Sequence, residues 1–376
     1  MRKMRFILIL MSVLLAGACT RLEEQKTALN IYVRFPEEVT ATKTEGINWS
    51  ALFAKETRIN DLRIWVFVNK ADGIPAGTLL GYLEPKQLIL AGGKVQKFTV
   101  TLDKAVAKKI ELVDVYVLGN SSPLGLIDLG EKTTPAELDA MKFTGDQFGI
   151  ADDGLPVTTD VTDAVGLPYT AVGRNLKLSG TGADLSVANV ELVRAVSKVQ
   201  FVFCQIQDGE TLPVNFVITS LKLNKDLIPE EEYLFNDNEK PMENPKIGKN
   251  YVSRELSFKN LLPVKDDVAG STTPSGYAYN NEPDYLDKIN TALINGEVTG
   301  MAPCYLRESD KALSGEIQYT VDNVTKEPVK FSMVSGQKFA RNSCWIVYFY
   351  FNNDILTISV SPTNWTSGGE FEIIGE

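Results

Sequence analysis

Residues 113–120 read VDVYVLGN, and apolar and polar side chains alternate along this stretch. In an extended chain, Val113, Val115 and Val117 fall on one face, while Asp114 and Tyr116 fall on the other. Such alternation predicts a β-strand with one face in a core. The same period of two recurs on both sides, at residues 28–35, 62–68, 95–102, 199–204, 216–223, 319–321, 330–334, 345–351 and 356–360.

Polar turn clusters separate these strands, for example at residues 69–73 and 352–354. Many short strands with polar turns predict antiparallel sheets that pack face to face. Helical signals are few. A capping box with a proline at the first helical position starts at residue 134, and an apolar stripe with helical spacing covers residues 283–296.

The chain has 376 residues, which suits two domains of ordinary size. A stretch rich in Gly, Ser and Thr at residues 178–184 marks the predicted boundary. We therefore predict an N-terminal β-sandwich domain at residues 19–186, whose first strand covers about residues 28–35. A C-terminal β-sandwich domain follows at residues 187–376.

The first 19 residues predict export. Cations at residues 2–5 precede an apolar run at 6–15, and small residues at 16–18 precede Cys19. This pattern is typical of a signal peptide, here residues 1–18, and a cysteine in that position accepts acyl chains such as palmitate in bacterial lipoproteins. Lipidation of Cys19 would tether the chain to the outer membrane. The alternative is an ordinary secretory cut, which would leave a soluble protein with an N-terminal thiol.

Composition excludes several classes of function. Acidic residues outnumber basic ones by 48 to 38, so a concentrated basic face for nucleic acid is not expected. The chain has no histidine, which removes the usual general base and the commonest metal ligand. Acidic clusters at residues 152–153, 230–232, 237–243 and 266–267 are interpreted as solvated loops. We therefore predict no enzyme activity, no cofactor and no metal site. Calcium at the loop around Asp237 is the alternative, although no EF-hand spacing supports it.

Three further cysteines, Cys204, Cys304 and Cys344, are widely separated and form no CxxC pair. Cys204 and Cys344 lie in apolar runs, which favours buried thiols in strands. A disulfide between two of the three is the alternative in an oxidising compartment.

Several segments, taken in order, resemble the type V fimbrillins, the lipoprotein-derived pilus subunits of Bacteroides-like bacteria. They follow the lipoprotein start and are LNIYVRF (residues 29–35), INDLRIWVFVN (59–69), VDVYVLGN (113–120), GLPVT (154–158), VELVRAVSKV (190–199), YLRES (305–309), RNSCW (341–345) and LTISVSPTNW (356–365). The resemblance implies two transthyretin-like β-sandwich domains and assembly with other subunits into a surface fimbria that supports adhesion.

The resemblance also implies strand exchange. A trypsin-like protease cuts after a basic residue beyond the first strand, that strand leaves, and a strand from another subunit fills the groove. Lys43 lies in a polar stretch of small residues and is the predicted cut site, whereas Arg34 lies within the strand. Ile31 and Val33 are the predicted core residues of the displaced strand.

The tail at residues 366–376 is the candidate donor, with Phe371 and Ile373 on one face of an alternating segment. Its alternative interpretation is a last strand paired within its own domain. The alternative function is a monomeric surface lipoprotein that binds glycan through exposed aromatic side chains. Trp49 and Trp365 could serve there, whereas Trp65 and Trp345 lie in apolar strands and are expected in the core.

Overall fold

The computed structural model describes residues 26–35, 59–84, 95–121, 124, 129–144, 166–181, 184–187, 189–207, 216–223, 229, 231–236, 251–252, 256–257, 262–265, 301–309, 311, 314–332, 340–352 and 355–363. The predicted helix at residues 283–296 lies outside them. The all-β prediction is confirmed, because strands dominate and the two described helices are short.

The first half of the chain contributes eleven described strands and both described helices. The strands are β1 (Lys26–Arg34), β2 (Leu62–Ala71), β3 (Leu79–Leu83), β4 (Val95–Asp103), β5 (Ile110–Gly119), β6 (Lys142–Thr144), β7 (Tyr169–Lys177), β8 (Ser179–Thr181), β9 (Asp184–Ser186), β10 (Val190–Glu191) and β11 (Val193–Arg194). The helices are α1 (Lys104–Ala107) and α2 (Pro135–Ala140). Neither these nor any other described stretch forms a helix with the length and apolar character needed to cross a membrane.

The second half contributes twelve described strands. They are β12 (Ser197–Gln207), β13 (Phe216–Leu223), β14 (Glu231–Tyr233), β15 (Tyr251–Val252), β16 (Leu256–Ser257), β17 (Leu262–Lys265), β18 (Met301–Leu306), β19 (Ser314–Val321), β20 (Val324–Thr325), β21 (Val329–Ser332), β22 (Cys344–Asn352) and β23 (Ile355–Thr363). Each strand predicted from alternation falls within or overlaps one of the 23.

Four larger sheets organise these strands. Sheet I places β1 between β4 on one side and β9 and β10 on the other, with β8 beyond β9. Sheet II has the order β11-β7-β5-β2-β3. Sheet III has the order β17-β12-β22-β23, with β18 also on β12, and sheet IV joins β13 and β19 with four short strands.

Sheets I and II share one core. Leu29 of β1, Val100 of β4, Ile64 of β2 and Val115 of β5 belong to the same buried cluster. The two sheets are in close contact where β3 meets β4: a Cβ built on Gly81 would lie 2.3 Å from Cγ1 of Val100. A side chain larger than hydrogen therefore does not fit at this position without movement.

Strand direction differs in part from the antiparallel prediction. Most pairs are antiparallel, but β1 runs parallel to β9 and β10, and β12 runs parallel to β17 and β22. Alternation reports which face of a strand is buried and carries no information on the direction of its neighbour. Distant segments can therefore pair in parallel without any signal in the pattern.

The capping box predicted at Thr134 is confirmed at the start of α2. The Thr134 side chain accepts from the Glu137 backbone N–H at 3.3 Å, and the Glu137 carboxylate accepts from the Thr134 backbone N–H at 2.8 Å. Pro135 occupies the first helical position, and Leu138 anchors the helix in the core.

A small fifth sheet connects the two halves of the chain. In it, β14 pairs antiparallel with β6, so that Glu232 stands opposite Phe143. The division into two domains stays a prediction. Strand pairing favours a boundary between Arg194, the last residue of β11 in sheet II, and Ser197, the first of β12 in sheet III.

Candidate functional site

The strand β1 fills the middle of sheet I. All nine of its residues pair antiparallel with β4, from Lys26 opposite Asp103 to Arg34 opposite Val95. Its other edge pairs with β9 along residues 28–30 and with β10 at its end. Both edges of β1 are therefore hydrogen-bonded, and removing it would part β4 from β9 and β10.

The inward face of β1 is apolar from Leu29 onward, after the buried Thr27. Leu29, Ile31 and Val33 are each 0% exposed, and Phe35 follows at 5%. All four belong to the core cluster shared with sheet II. Burying side chains of this kind contributes about 1.5–3 kcal/mol each. Ile31 and Val33, the residues predicted to line the displaced strand, thus hold β1 against the core.

Polar contacts fix the register of β1. The Thr99 hydroxyl donates to Oδ1 of Asn30 at 2.9 Å on the face away from the core. The backbone carbonyls of Asn30 and Arg34 accept from the N–H groups of Val187 and Leu192, at 3.1 and 2.9 Å. A shift of one residue would break these contacts and turn the apolar face outward.

The other predicted site residues lie outside the described part of the chain. They are the lipidation site Cys19, the cut site Lys43, and the donor residues Phe371 and Ile373. Their roles stay predictions. Among the described residues, no group of three or more cysteine, aspartate or glutamate side chains is arranged to hold a metal ion.

Three segments of the sequence resemblance meet at the junction of the two halves, at residues 190–199, 305–309 and 341–345. The turn at Asn342, with φ of 58°, donates its backbone N–H to the Val196 carbonyl at 2.8 Å. Its side-chain oxygen accepts from Nη1 of Arg194 at 3.2 Å, and the Ser343 carbonyl accepts from the Lys198 N–H at 2.8 Å. The segment 341–343 is therefore bound to the segment 194–198 at several points.

Arg341, in the same turn, centres a buried charged cluster. Its Nη2 contacts Oε1 of Glu232, and its Nε lies 3.3 Å from Oε1 of Glu308. The Glu308 backbone N–H donates to Oε2 of Glu232 at 2.9 Å, and the Asn236 amide donates to Oε1 of Glu308. We call Glu232, Glu308 and Arg341 the junction cluster.

The pKa values of the two carboxyl groups in the junction cluster are shifted in opposite directions. Burial raises the pKa of Glu232 well above its usual value; Arg341 opposes this rise, while the hydrogen bond and charge of Glu308 add to it. Burial also disfavours ionisation of Glu308, but the hydrogen bond from Glu232 and the charge of Arg341 outweigh it and lower the Glu308 pKa. The two carboxyl groups therefore differ in how readily they ionise, although Arg341 contacts both.

Residues 231–236, which we call the strap, carry Glu232 onto the first half of the chain. The Leu234 N–H donates to the Met141 carbonyl at 2.8 Å, and the Phe235 ring packs edge-on against Tyr116 with centroids 5.5 Å apart. Leu234 and Phe235 belong to the buried core that sheets I and II share. The junction cluster and the strap therefore tie the two halves together.

The junction cluster was missed by sequence reasoning. Residues 230–232 were expected in a solvated loop, and this is wrong for Glu232, which is only 3% exposed. Its alternation in β14 was a weak signal, because a strand of three residues is too short for a reliable pattern. The partner Arg341 lies more than a hundred positions along the chain, where no local motif points to it.

Other expectations for buried side chains are confirmed. Trp65 is buried and donates its indole N–H to the Gly130 carbonyl at 2.9 Å, and Trp345 is buried in β22. Cys344 is also buried, as expected for a thiol in an apolar strand. Two of the four tryptophans are thus unavailable as aromatic platforms for glycan.

Known structures share this architecture. A candidate cell adhesion protein from Parabacteroides distasonis superposes with a TM-score of 0.51 at 15% sequence identity, over 92% of this chain and 98% of that chain. The chain has the same fold. The likeness therefore confirms the predicted β-sandwich architecture.

Two fimbrial structures from Porphyromonas gingivalis are also similar. The tip fimbrial protein Mfa3, with a C-terminal truncation, gives a TM-score of 0.49 at 12% identity over 90% of this chain and 100% of that chain. A fimbrilin, FimA, gives 0.47 at 11% identity over 92% and 99%. No protein-family model matches the chain, and no curated protein sequence matches it.

Proposed function

We propose that this chain is an exported, lipid-anchored subunit of a cell-surface fimbria, which assembles by protease-triggered strand exchange and supports adhesion. The observation that carries the proposal is the position of β1. It is the first described strand, it occupies the middle of sheet I, and its inward face is wholly buried. The shared fold with a candidate cell adhesion protein supports the same role.

Loss of β1 would leave a strong template for a new strand. Unpaired backbone groups of β4 would line one side of the groove, those of β9 and β10 would line the other, and apolar side chains would form its floor. Each ladder hydrogen bond is worth about 1 kcal/mol net, and each buried aliphatic side chain adds ~1.5–3 kcal/mol. An incoming strand must restore both the ladder hydrogen bonds and the buried apolar side chains.

The chain offers a candidate for that strand in residues 366–376. Phe371 and Ile373 alternate with Glu370 and Glu372, so one face of an extended tail is apolar and the other is charged. Such a tail suits a groove with a buried floor and a solvated outer side. We propose that the tail of one subunit enters the groove of the next, and that Cys19 holds the precursor at the outer membrane before the cut.

The decisive experiment is limited trypsin digestion of purified protein that lacks residues 1–18. We expect a cut after Lys43, a new N-terminus at Thr44, and ladders of polymer that survive detergent without boiling. The ladders follow because the cut frees β1 from the body of the subunit, while the replacement strand restores a fully paired sheet. N-terminal sequencing and unboiled gel electrophoresis provide the measurements.

Two variants control this experiment. Lys43→Gln should prevent the cut and the ladder together, whereas the double change Phe371→Asp and Ile373→Asp should allow the cut and abolish the ladder. A cut protein that stays a discrete monomer, with an intact tail, would contradict the proposal. If that monomer bound polysaccharide, the alternative function as a glycan-binding lipoprotein would be supported instead.

A further inference from the structure

The strand β4 is one wall of the groove that loss of β1 would open. Among the strands that the structure describes, β1 is the only partner of β4 in sheet I. The ladder between them, the hydrogen bond from Thr99 to Asn30 and the ion pair of Asp103 with Lys26 would all be lost with β1. The position of β4 would then depend on its packing against the core.

Few side chains of β4 take part in that packing. Of its nine residues, only Val100 and Leu102 are buried, at 5% and 4% exposure. Phe98 is half-buried against the same core, whereas Val95, at the start of the strand, is exposed. Val100 is therefore one of the two residues that anchor β4 to the core.

Val100 lies directly opposite Gly81 of β3. A Cβ built on Gly81 would lie 2.3 Å from Cγ1, 2.7 Å from Cγ2 and 3.1 Å from Cβ of Val100. Rotation of the Val100 side chain about χ1 would not relieve all three contacts, because its Cβ does not move in that rotation. The hydrogen side chain of Gly81 thus lets both methyl groups of Val100 lie close to the backbone of β3.

We propose that Gly81 and Val100, which we call the notch, hold β4 in place as a wall of the groove while β1 is absent. This inference rests on the strand exchange proposed above. An incoming strand must bond to β4 on one side and to β9 and β10 on the other, with neighbouring strands about 4.8 Å apart. A displaced β4 would leave one edge of that strand unpaired. Gly81 lies outside sheet I and acts through Val100, so it is a positioning residue for strand uptake.

Hydrogen exchange of the uncut chain tests the notch without any strand exchange. Gly81→Ala puts a methyl group where Val100 lies, so we expect the protection of the β4 amides to fall about tenfold, while β12 and β22 of the second half keep theirs. Gly130→Ala is the matched control, because nothing lies within 4 Å of a Cβ built at that position. Unchanged protection of β4 in Gly81→Ala would overturn the notch.

Val100→Ala keeps the test decisive if Gly81→Ala folds poorly. It removes the two methyl groups that the new Cβ would meet, and alone it should lower the protection of β4, because it leaves a space beside Gly81. Adding Gly81→Ala refills that space. The same substitution should therefore lower protection in the unchanged protein and raise it in the Val100→Ala background. A fall in both backgrounds would contradict the notch.

Trypsin digestion separates failure of the notch from failure of the proposed function. If the unchanged protein is cut but forms no ladder, strand exchange is refuted, and hydrogen exchange still decides whether the notch holds β4. If it forms ladders, Gly81→Ala should be cut normally yet give about tenfold less ladder, because only subunits with β4 in place accept a strand. The double variant with Val100→Ala should recover ladders relative to Val100→Ala alone. Equal ladders from Gly81→Ala and the unchanged protein would refute the role of the notch in strand uptake.

Discussion

At the scale of single residues, alternation in the sequence identifies which side chains of β1 reach the core. The odd-numbered positions from Thr27 to Phe35 are buried, as period-two spacing requires. The exception is Asn30, which is on the outer face yet only 7% exposed, and whose Oδ1 accepts from the Thr99 hydroxyl of the neighbouring strand. Such a cross-strand contact depends on the register, which alternation within one strand cannot supply.

Ile31→Ala should destabilise the protein by about 2–5 kcal/mol, because it removes a fully buried side chain and leaves a cavity between sheets I and II. Urea unfolding followed by circular dichroism measures the change. Arg34→Ala, at the exposed end of the same strand, should change stability by no more than about 0.5 kcal/mol. Equal effects of the two substitutions would show that β1 is not held by its apolar face.

Buried charge is the residue-scale feature that sequence alone does not reveal. Glu232, Arg341, Arg307, Lys198 and Arg194 are all buried at the junction. Local patterns assign charged residues to solvent by default, since burying one without partners is costly. Only the tertiary arrangement brings together partners that are far apart in the sequence.

At the scale of secondary-structure elements, prediction succeeds where the signal is local. The strands over residues 62–68, 113–118 and 216–223 lie where alternation puts them, and α2 starts at its capping box. The short strands β8 and β9 lie in and beside the stretch at residues 178–184, whose Gly, Ser and Thr content was interpreted as a domain boundary. Pairs such as β1 with β10 join distant segments, and their direction is set by how the sandwich closes.

Thr134→Ala tests the cap of α2. It should lower stability by ~1 kcal/mol, because the Glu137 backbone N–H loses its acceptor at the start of the helix. The midpoint of thermal unfolding measures this loss. Thr134→Ser retains the hydroxyl and should stay close to the original protein. A full loss in the serine variant would mean that the methyl group, and not the cap, matters.

At the scale of the whole molecule, two β-rich halves are joined by more than a linker. The strap enters the first core, and the turn around Asn342 is bound to the segment that precedes β12. A subunit in a fimbria transmits tension along its length, so firm coupling between halves is consistent with the proposed function. Fold similarity over 92% of the chain to the P. distasonis protein includes both halves.

Membrane attachment is tested at the same scale. Cys19→Ala should release the protein from the outer-membrane fraction into the soluble one, because a lipoprotein without its acylated cysteine has no hydrophobic anchor. Fractionation of cells with immunoblotting measures the distribution. Cys344→Ala is a suitable comparison, since it alters a buried thiol within β22. Unchanged fractionation of Cys19→Ala would remove the lipid anchor from the proposal.

The central place of β1 also has a consequence for how the chain is made. The ribosome completes β1 early, but its partner Leu185 in β9 and its partner Val190 in β10 are added only after the rest of the first half. Sheet I cannot close during that interval, so the nascent chain carries an open strand edge that favours slow folding and unwanted association. A chaperone that covers unpaired strand edges would have to stay bound to β1 until β9 and β10 are available.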